Sequence, residues 1–310
     1  MKELYKIILA GTLVAANAGA FAQQEGMYTN YMFNTLTVNP AYAGSREALT
    51  ANLLHRSQWV SFDGAPTSQT FTIHDLLKNR KIGWGLSVVN DKSGPVKNMG
   101  VNADFAYILK LSQTSKLAFG LKGGINYMEV RLNSLQLDEE SDPAFQNNIM
   151  SKMLPNFGFG MYYSRPRFYT GISSPKLMEN NFKARETGFT TSSPDQVRHY
   201  YFIAGGLIKL SDNLELKPTT FIKATTAAPL QADLTTSFIY NKRFRIGAMF
   251  RTGDAVGLLA GYYITDNFHV GYSYDWSYGL KTMKYNYGSH EILLSYELPK
   301  KERNSVVRFL

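Results

Sequence analysis

The sequence predicts an all-β protein, a single antiparallel transmembrane β-barrel of roughly fourteen strands with an N-terminal signal peptide. Three observations support this prediction. Apolar and polar residues alternate with a period of two along many short segments, which is typical of strands with two different faces. These segments are even in number, and tight turns alternate with longer loops between them, as in bacterial outer-membrane barrels. After the signal, no apolar run reaches the roughly 18 residues that a membrane-spanning helix needs.

The first residues have the pattern of an export signal. Two lysines precede the apolar stretch 7–16, and Ala20 and Ala22 occupy the small-residue positions of an A-x-A cleavage site. This predicts a signal peptide over residues 1–22 and a mature chain that starts at Gln23. The sequence contains no cysteine, so disulfides and thiolate metal sites are excluded.

Residues 23–47 precede the first predicted strand and contain the apolar stretch YTNYMFN. Because so many apolar side chains are costly to leave in water, we expect this segment to pack at the periplasmic mouth or in the lumen. Residues 48–298 form the predicted outer-membrane barrel, and residues 299–310 form a short basic periplasmic tail. No linker or repeat divides the chain, so one domain is predicted.

The alternation is clearest in three segments. In residues 101–111, Phe105 lies on an apolar face and Asp104 on a polar one, and residues 243–251 and 268–276 divide in the same way. The apolar face would contact lipid and the other would line a polar interior. The predicted strands are residues 48–56, 67–75, 82–90, 100–111, 116–128, 155–164, 167–173, 197–210, 214–225, 232–240, 243–251, 255–264, 268–276 and 289–298.

The connections predict how the barrel is oriented. Every second connection is short and rich in Asn, Asp or Ser, which suits tight hairpins. The others include NDKSGPVKN at 90–98 and the long loops 129–154, 173–196 and 277–288. Since outer-membrane barrels have short periplasmic turns, we expect both termini in the periplasm and the long loops in the medium.

Charged residues are expected on the lumenal face, where each must be hydrated or paired. Two interpretations remain open: a wet, mildly anion-selective channel, or a lumen filled by a plug. The net charge of +9 fits a basic lumen, or contact with lipopolysaccharide or an acidic partner, better than nucleic acid in an exported protein. The predicted lumenal charges are Lys110, Lys122, Lys217, Lys223, Arg243, Arg245, Arg251, Asp104, Asp275, Glu291 and Glu297.

No residue pattern predicts catalysis, a metal or another cofactor. Among the histidines, His55 and His74 lie on the first two predicted strands, where they could meet across the hairpin, but no further ligands are spaced to complete a metal site. Ser289 and His290 are neighbours and point to opposite faces of a strand. The acidic run at 138–142 lacks the spacing of a calcium loop. We therefore expect no enzymatic activity.

A pattern rich in turn and aromatic residues in the first third of the sequence predicts neither catalysis nor metal binding. It consists of NPAYAGS at 39–45, R-x-Q-W at 56–59, F-x-G-A-P at 62–66, and a histidine eight residues later. Together with YTNYMFN and the terminal GSHEILLSYEL, it resembles the PorP/SprF family of outer-membrane proteins of the type IX secretion and gliding system of Bacteroidetes. We call its residues the signature: Asn39, Pro40, Tyr42, Gly44, Arg56, Gln58, Trp59, Phe62, Gly64, Pro66 and His74.

The resemblance implies a non-enzymatic role. Family members act as outer-membrane partners of large secreted surface proteins or adhesins, receive the C-terminal signal domain of that cargo, and in some cases are linked to the periplasmic ring of the machinery. The signature would then form a docking element, or it would only help to close the barrel. Lys284, Tyr285 and Tyr287 offer further partner contacts on the last long loop. The alternative function is a general diffusion porin.

Overall fold

The computed structural model describes residues 26–78, 80–131, 149–178, 197–226, 228–278 and 286–299. In these residues a short helix α1 (Thr35–Val38) and a 3-10 helix (Pro40–Tyr42) precede an antiparallel sheet. Its strands are β1 Ala48–Ser57, β2 Thr67–Leu76, β3 Ile82–Ser93, β4 Val96–Lys110, β5 Lys116–Val130, β6 Ile149–Arg165, β7 Phe168–Ser174, β8 His199–Gly206, β9 Ile208–Lys209, β10 Leu214–Thr225, β11 Ala228–Tyr240, β12 Phe244–Arg251, β13 Ala255–Tyr263, β14 Phe268–Ser277 and β15 Ser289–Pro299.

The sheet closes into a barrel because β1 pairs with both β2 and β15. Both β8 and the two-residue β9 pair with β10, so they are two parts of one interrupted wall strand. Counted in this way, the described residues form a closed barrel of fourteen strands, which confirms the predicted all-β barrel. The predicted signal peptide, residues 1–22, lies outside the described residues. None of the helices in the described residues is long and apolar enough to cross a membrane.

The two faces of the wall follow the predicted alternation. On β12, Phe244, Ile246 and Phe250 are exposed on the outside, whereas Arg245 and Arg251 are buried inside. An apolar exterior is stable only where lipid replaces water, so the alternation matches the surface to a bilayer.

The barrel has two different ends. We call one end the turn mouth, because the six short turns lie there beside the paired residues Ala48 and Pro299. We call the other end the loop mouth, because the strands that flank the longer connections of the sequence end there. The prediction that short turns alternate with longer loops holds for four of the seven connections at the loop mouth, while β3–β4, β10–β11 and β12–β13 are joined by short turns.

The prediction of a loop at residues 90–98 is wrong. Ser93 pairs with Val96, so β3 and β4 continue through the segment and only Gly94 and Pro95 form the turn. The polar residues of this segment suit a strand in water as well as a loop, and the strands from β3 to β6 are 12, 15, 15 and 17 residues long. This part of the wall therefore extends further at the loop mouth than its neighbours.

Most of the predicted lumenal charges are buried inside the barrel. Lys110 and Arg243 are exceptions, because they lie at strand ends and are exposed at the turn mouth. The buried charges are Lys122, Lys217, Lys223, Arg245, Arg251, Asp104, Asp275, Glu291 and Glu297.

Candidate functional site

The chain fills its own lumen. We call residues 26–47 the plug segment, because nearly all of its side chains from residue 27 onward are buried or half-buried within the barrel. Gly26 lies beside Ser68 and Asp91, which are close to the loop-mouth ends of β2 and β3. Arg46 pairs with Glu297 near the turn-mouth end of β15. The plug segment therefore runs through the lumen from one mouth to the other.

The described chain ends lie at different mouths, while the two termini, which were predicted to be periplasmic, lie outside the described residues. The described chain starts at Gly26 at the loop mouth and ends at Pro299 at the turn mouth. The reason is the plug segment itself, which crosses the full height of the barrel before β1 begins at Ala48.

The entry of the plug segment is held by buried charges. The backbone N–H groups of Thr29 and Asn30 donate to the Glu291 carboxylate at 2.9 and 2.7 Å. The Thr29 hydroxyl donates to Asp275 at 2.6 Å, and Arg56 pairs with Asp275 at 2.7 Å. Buried carboxylates are stable only with charged partners and hydrogen-bond donors; here Arg56 on β1 supplies the charge and the plug supplies donors.

Further down, an aromatic residue of the plug lies between two wall side chains. The Phe33 ring stacks on His269 with 4.7 Å between ring centroids, and the Arg245 guanidinium lies 5.0 Å from the Phe33 centroid. A guanidinium over an aromatic face is attracted by the ring quadrupole, most strongly away from water. Arg245 thus gains a partner in the lumen that is not an acid.

The wall also supplies donors to the carbonyl groups around α1. Lys122, which pairs with Asp104 at 3.1 Å, donates to the Leu36 carbonyl at 3.0 Å. Ser173 donates to the Val38 carbonyl at 2.7 Å. The last carbonyls of a helix have no partner within the helix, so these wall donors compensate for its short length.

The first half of the signature shapes the next turn of the plug. Asn39 accepts from the Ala41 N–H at 3.0 Å, which caps the 3-10 helix, and donates to the Met161 carbonyl on the wall at 3.0 Å. Pro40 occupies the first helical position, where a missing N–H costs nothing. At Gly120 a Cβ atom would overlap the Ala41 backbone nitrogen, so the plug lies directly against the wall.

Below this turn, Gly44 donates from its backbone N–H to His74 Nδ1 at 3.2 Å, which places the His74 proton on Nε2. Gly44 has a φ of 75°, a left-handed conformation that favours glycine. The Tyr42 ring meets His74 edge-on at 5.2 Å and Tyr162 at 5.5 Å. Together these contacts fix the lower plug against β2 and β6.

At the turn mouth the plug ends in two ion pairs. Arg46 is buried and donates from Nε to Glu297 at 2.9 Å, with a second contact from its terminal nitrogen. The next residue, Glu47, pairs with Lys116 on β5. The plug is thus tied to opposite sides of the wall where it leaves the lumen.

The second half of the signature lies at the loop mouth. Val60 exchanges backbone hydrogen bonds with the chain just before β15, donating to the Gly288 carbonyl at 2.9 Å and accepting from Tyr287 at 3.0 Å. The Trp59 N–H donates to the Ser289 hydroxyl at 3.2 Å. The structure therefore joins the β1–β2 connection to Tyr287, one of the predicted partner contacts.

The rest of this connection is equally constrained. The Gln58 N–H donates to the Pro66 carbonyl at 2.9 Å, which joins the two ends of the β1–β2 connection. Gly64 has a φ of 72° and accepts from the Gly94 N–H in the β3–β4 turn at 2.8 Å. Phe62 is 43% exposed.

The signature is therefore split between the two mouths rather than gathered in one site. Arg56 connects the loop-mouth half to the entry of the plug segment, because it bonds to the Thr29 hydroxyl at 3.0 Å. Tyr287 is 74% exposed, while Lys284 and Tyr285 lie outside the described residues. The roles of Thr29 and Asn30 were missed by sequence reasoning, since only their place in the YTNYMFN stretch marked them.

The expected meeting of two histidines does not occur. His55 faces outward opposite Gln69, whereas His74 faces the lumen opposite Thr50. Their separation along the strand register and their opposite faces explain the error. No group of three residues in the described parts of the chain is arranged as a metal site.

A closed fourteen-strand barrel with an apolar exterior and a lumen occupied by its own N-terminal segment defines the class: an outer-membrane β-barrel fold with an internal plug. The chain belongs to the PorP/SprF family, because the family model described as "Type IX secretion system membrane protein PorP/SprF" matches residues 20–296. This match confirms the family suggested by the signature.

Solved structures with a similar fold include outer-membrane proteins and channels. The CymD monoaromatic hydrocarbon channel is 10% identical with a TM-score of 0.50, over 93% of this chain and 96% of that one. Omp33 of Acinetobacter baumannii is 12% identical with a TM-score of 0.44, over 82% and 99%. A Pseudomonas aeruginosa FadL homologue is 12% identical with a TM-score of 0.45, over 84% and 91%. No curated protein sequence matches the chain.

Proposed function

We propose that this protein docks or anchors a large secreted surface protein or adhesin at the loop mouth, by receiving the cargo's C-terminal signal domain during type IX secretion. The role is non-enzymatic and requires no cofactor. The observation that carries the proposal is the plug segment, which occupies the lumen from Gly26 to Arg46. A barrel filled in this way offers its partners the two mouths rather than a diffusion path.

The plug also argues against the alternative, a general diffusion porin. A barrel of this size conducts only if its interior is open. Here wall residues at three heights bond to the plug: Glu291 near the loop mouth, Lys122 in the middle and Glu297 near the turn mouth. Such distributed anchoring favours a permanent internal support.

The loop mouth has the features of a recognition surface. Phe62, Tyr278 and Tyr287 are 43%, 42% and 74% exposed on connections that are held by backbone hydrogen bonds. Tyrosine and phenylalanine contribute strongly at interfaces because they bury a large area with few rotatable bonds. Residues held in place before binding also lose less conformational entropy when a partner arrives.

The proposed orientation places the loop mouth in the medium, next to lipopolysaccharide, and the turn mouth in the periplasm. It is supported by the short turns, which are periplasmic in outer-membrane barrels. In this orientation Pro299 leads toward the periplasm, where ring components of the secretion machinery would be within reach.

The test is affinity purification of a tagged protein from native outer membranes in mild detergent, followed by mass spectrometry. We expect one very large surface protein in near-stoichiometric amount. In the variant Phe62→Ala/Tyr287→Ala the amount recovered should fall several-fold, because both rings lie at the loop mouth. Leu111→Ala is the matched control, since Leu111 is 56% exposed at the turn mouth.

A barrel that purifies without a companion, from cells that make large surface proteins, would overturn the proposal. Conductance of the purified wild-type protein in planar bilayers then tests the alternative. Steady open-channel currents would identify a porin, whereas a closed barrel is the result expected for an anchor.

A further inference from the structure

The turn mouth contains a cleft beneath the exit of the plug segment. It has a volume of about 260 Å³ and lies between the plug residues 41–47 and the turns that join β2 to β3, β4 to β5 and β6 to β7. Its floor is formed by the plug, including Tyr42 and Arg46, so the cleft opens along the barrel axis and not toward lipid.

The charged side chains in the lining of the cleft are mainly cations. Arg80, Lys110 and Arg165 stand on three different turns and are all exposed. The lining contains two further cations, Arg46 and Lys116, which pair with Glu297 and Glu47, and the Arg165 guanidinium lies over Phe168 at 5.3 Å. The described lining contains a single carboxylate, that of Glu47. Cations therefore outnumber carboxylates by five to one in the described lining.

The excess of positively charged residues extends around the whole turn mouth. With their flanking strand residues, the described parts of the six turns contain ten lysines and arginines against two aspartates, Asp212 and Asp266. One of these is already neutralised, since Lys209 bonds to Asp212 at 2.5 Å and lowers the pKa of that carboxyl.

From this arrangement we propose that the turn mouth binds an acidic polypeptide segment, whose carboxylates enter the cleft and contact Arg80, Lys110 and Arg165. Guanidinium groups recognise carboxylates through two parallel hydrogen bonds, and a concave surface of one sign attracts an oppositely charged partner over a distance. This inference does not depend on docking of a secreted protein at the loop mouth.

The size and position of the cleft favour a polypeptide over other anions. Small-molecule sites usually enclose about 300–1,000 Å³, so this open cleft has room for a few side chains rather than for a whole ligand. The cations stand on three turns, a span that suits several carboxylates along one chain. Lipid headgroups would meet the outer rim, whereas the cleft opens over the plug.

The test uses the purified full-length protein in detergent and a short fluorescent peptide rich in Glu and Asp, carrying a photoreactive group. A peptide with Gln and Asn in place of the acids is the matched probe. We expect salt-sensitive binding of the acidic peptide alone, crosslinked to residues 111–116 and 165–168. The variant Arg80→Gln/Lys110→Gln/Arg165→Gln should bind about tenfold more weakly.

The control variant removes the same charge elsewhere: Lys92→Gln/Lys97→Gln/Arg198→Gln alters three exposed cations near the loop mouth. It should bind the acidic peptide within about twofold of the wild type. Equal binding of the two peptides, or an equal loss in both variants, would overturn the proposal. If the turn-mouth variant loses only its retention on phosphatidylglycerol vesicles, the surface binds lipid headgroups and the proposal is wrong. None of these outcomes depends on co-purification of a surface protein.

Discussion

The buried carboxylate of Glu291 accepts a hydrogen bond from the Thr29 backbone N–H at 2.9 Å, and this contact fastens the entry of the plug segment to the last strand of the barrel. Glu291 is fully buried, and its other oxygen accepts from the Asn30 N–H at 2.7 Å. One wall residue thus binds two successive amides of the plug. The plug is held as part of the barrel's interior.

Glu291→Gln should loosen the plug entry. The amide keeps the size of the side chain but loses the charge that strengthens both backbone hydrogen bonds, which predicts a loss of about 1–3 kcal/mol in stability. Thermal unfolding followed by tryptophan fluorescence in detergent measures the change as a lower Tm. Glu129→Gln serves as the control, because Glu129 pairs only with the exposed Arg131 in the described residues. An unchanged Tm for Glu291→Gln would contradict the proposed anchor.

Arg46→Met should be more damaging, because it removes the Arg46 charge that pairs with the buried Glu297. Breaking a buried pair on one side typically costs about 3–5 kcal/mol. The double variant Arg46→Met/Glu297→Gln should recover much of the loss, since the uncompensated charge is then gone. The exposed pair Lys209 and Asp212 provides the control, and Lys209→Met should leave the Tm nearly unchanged. Equal Tm values for the single and double variants would argue against a buried charge as the cause.

Gly120→Ala should displace the plug segment. A Cβ atom at Gly120 would overlap the backbone of Pro40 and Ala41, whereas one at Gly123 would have no heavy atom within 4 Å. Gly123→Ala on the same strand is therefore a closely matched control. In planar bilayers we expect more frequent channel openings for Gly120→Ala than for the control and the wild type. Identical traces would indicate that the plug tolerates the added methyl group without moving.

The path of the plug predicts where the two ends of the described chain can be labelled. The protein has no native cysteine, so a single introduced thiol reports one position. In intact cells a membrane-impermeant maleimide should label Gly26→Cys at the loop mouth. Gln113→Cys, in a turn at the other mouth, should react only after the outer membrane is permeabilised. The reverse pattern would show that the barrel is inserted in the opposite orientation.

Much of the wall could be predicted from the sequence because its determinants are local. Each strand must present apolar residues such as Phe244 and Ile246 to lipid and polar residues to the interior. This requirement makes apolar and polar residues alternate along the strand with a period of two. Tight turns carry their own residue preferences, as at Asn241 and Lys242, which both adopt positive φ. The closure into fourteen strands follows from these two local signals.

The candidate site was only partly predictable, because its contacts are not local. The signature residues lie at two mouths, and nothing in their spacing indicated that Gly44 would meet His74 near one mouth while Trp59 would meet Ser289 at the other. The segment 90–98 was misjudged for a related reason, since polar residues beyond the bilayer suit strands and loops alike.

By itself, the sequence determined the barrel, its two faces and its family, because alternation against lipid and turn chemistry act between neighbouring residues. Only the tertiary structure decided that the lumen is filled, and that the described chain starts and ends at opposite mouths. The physical reason lies in the buried charges of the wall. Glu291, Lys122 and Glu297 need partners away from water, and the plug segment supplies them from more than 80 residues away in the chain.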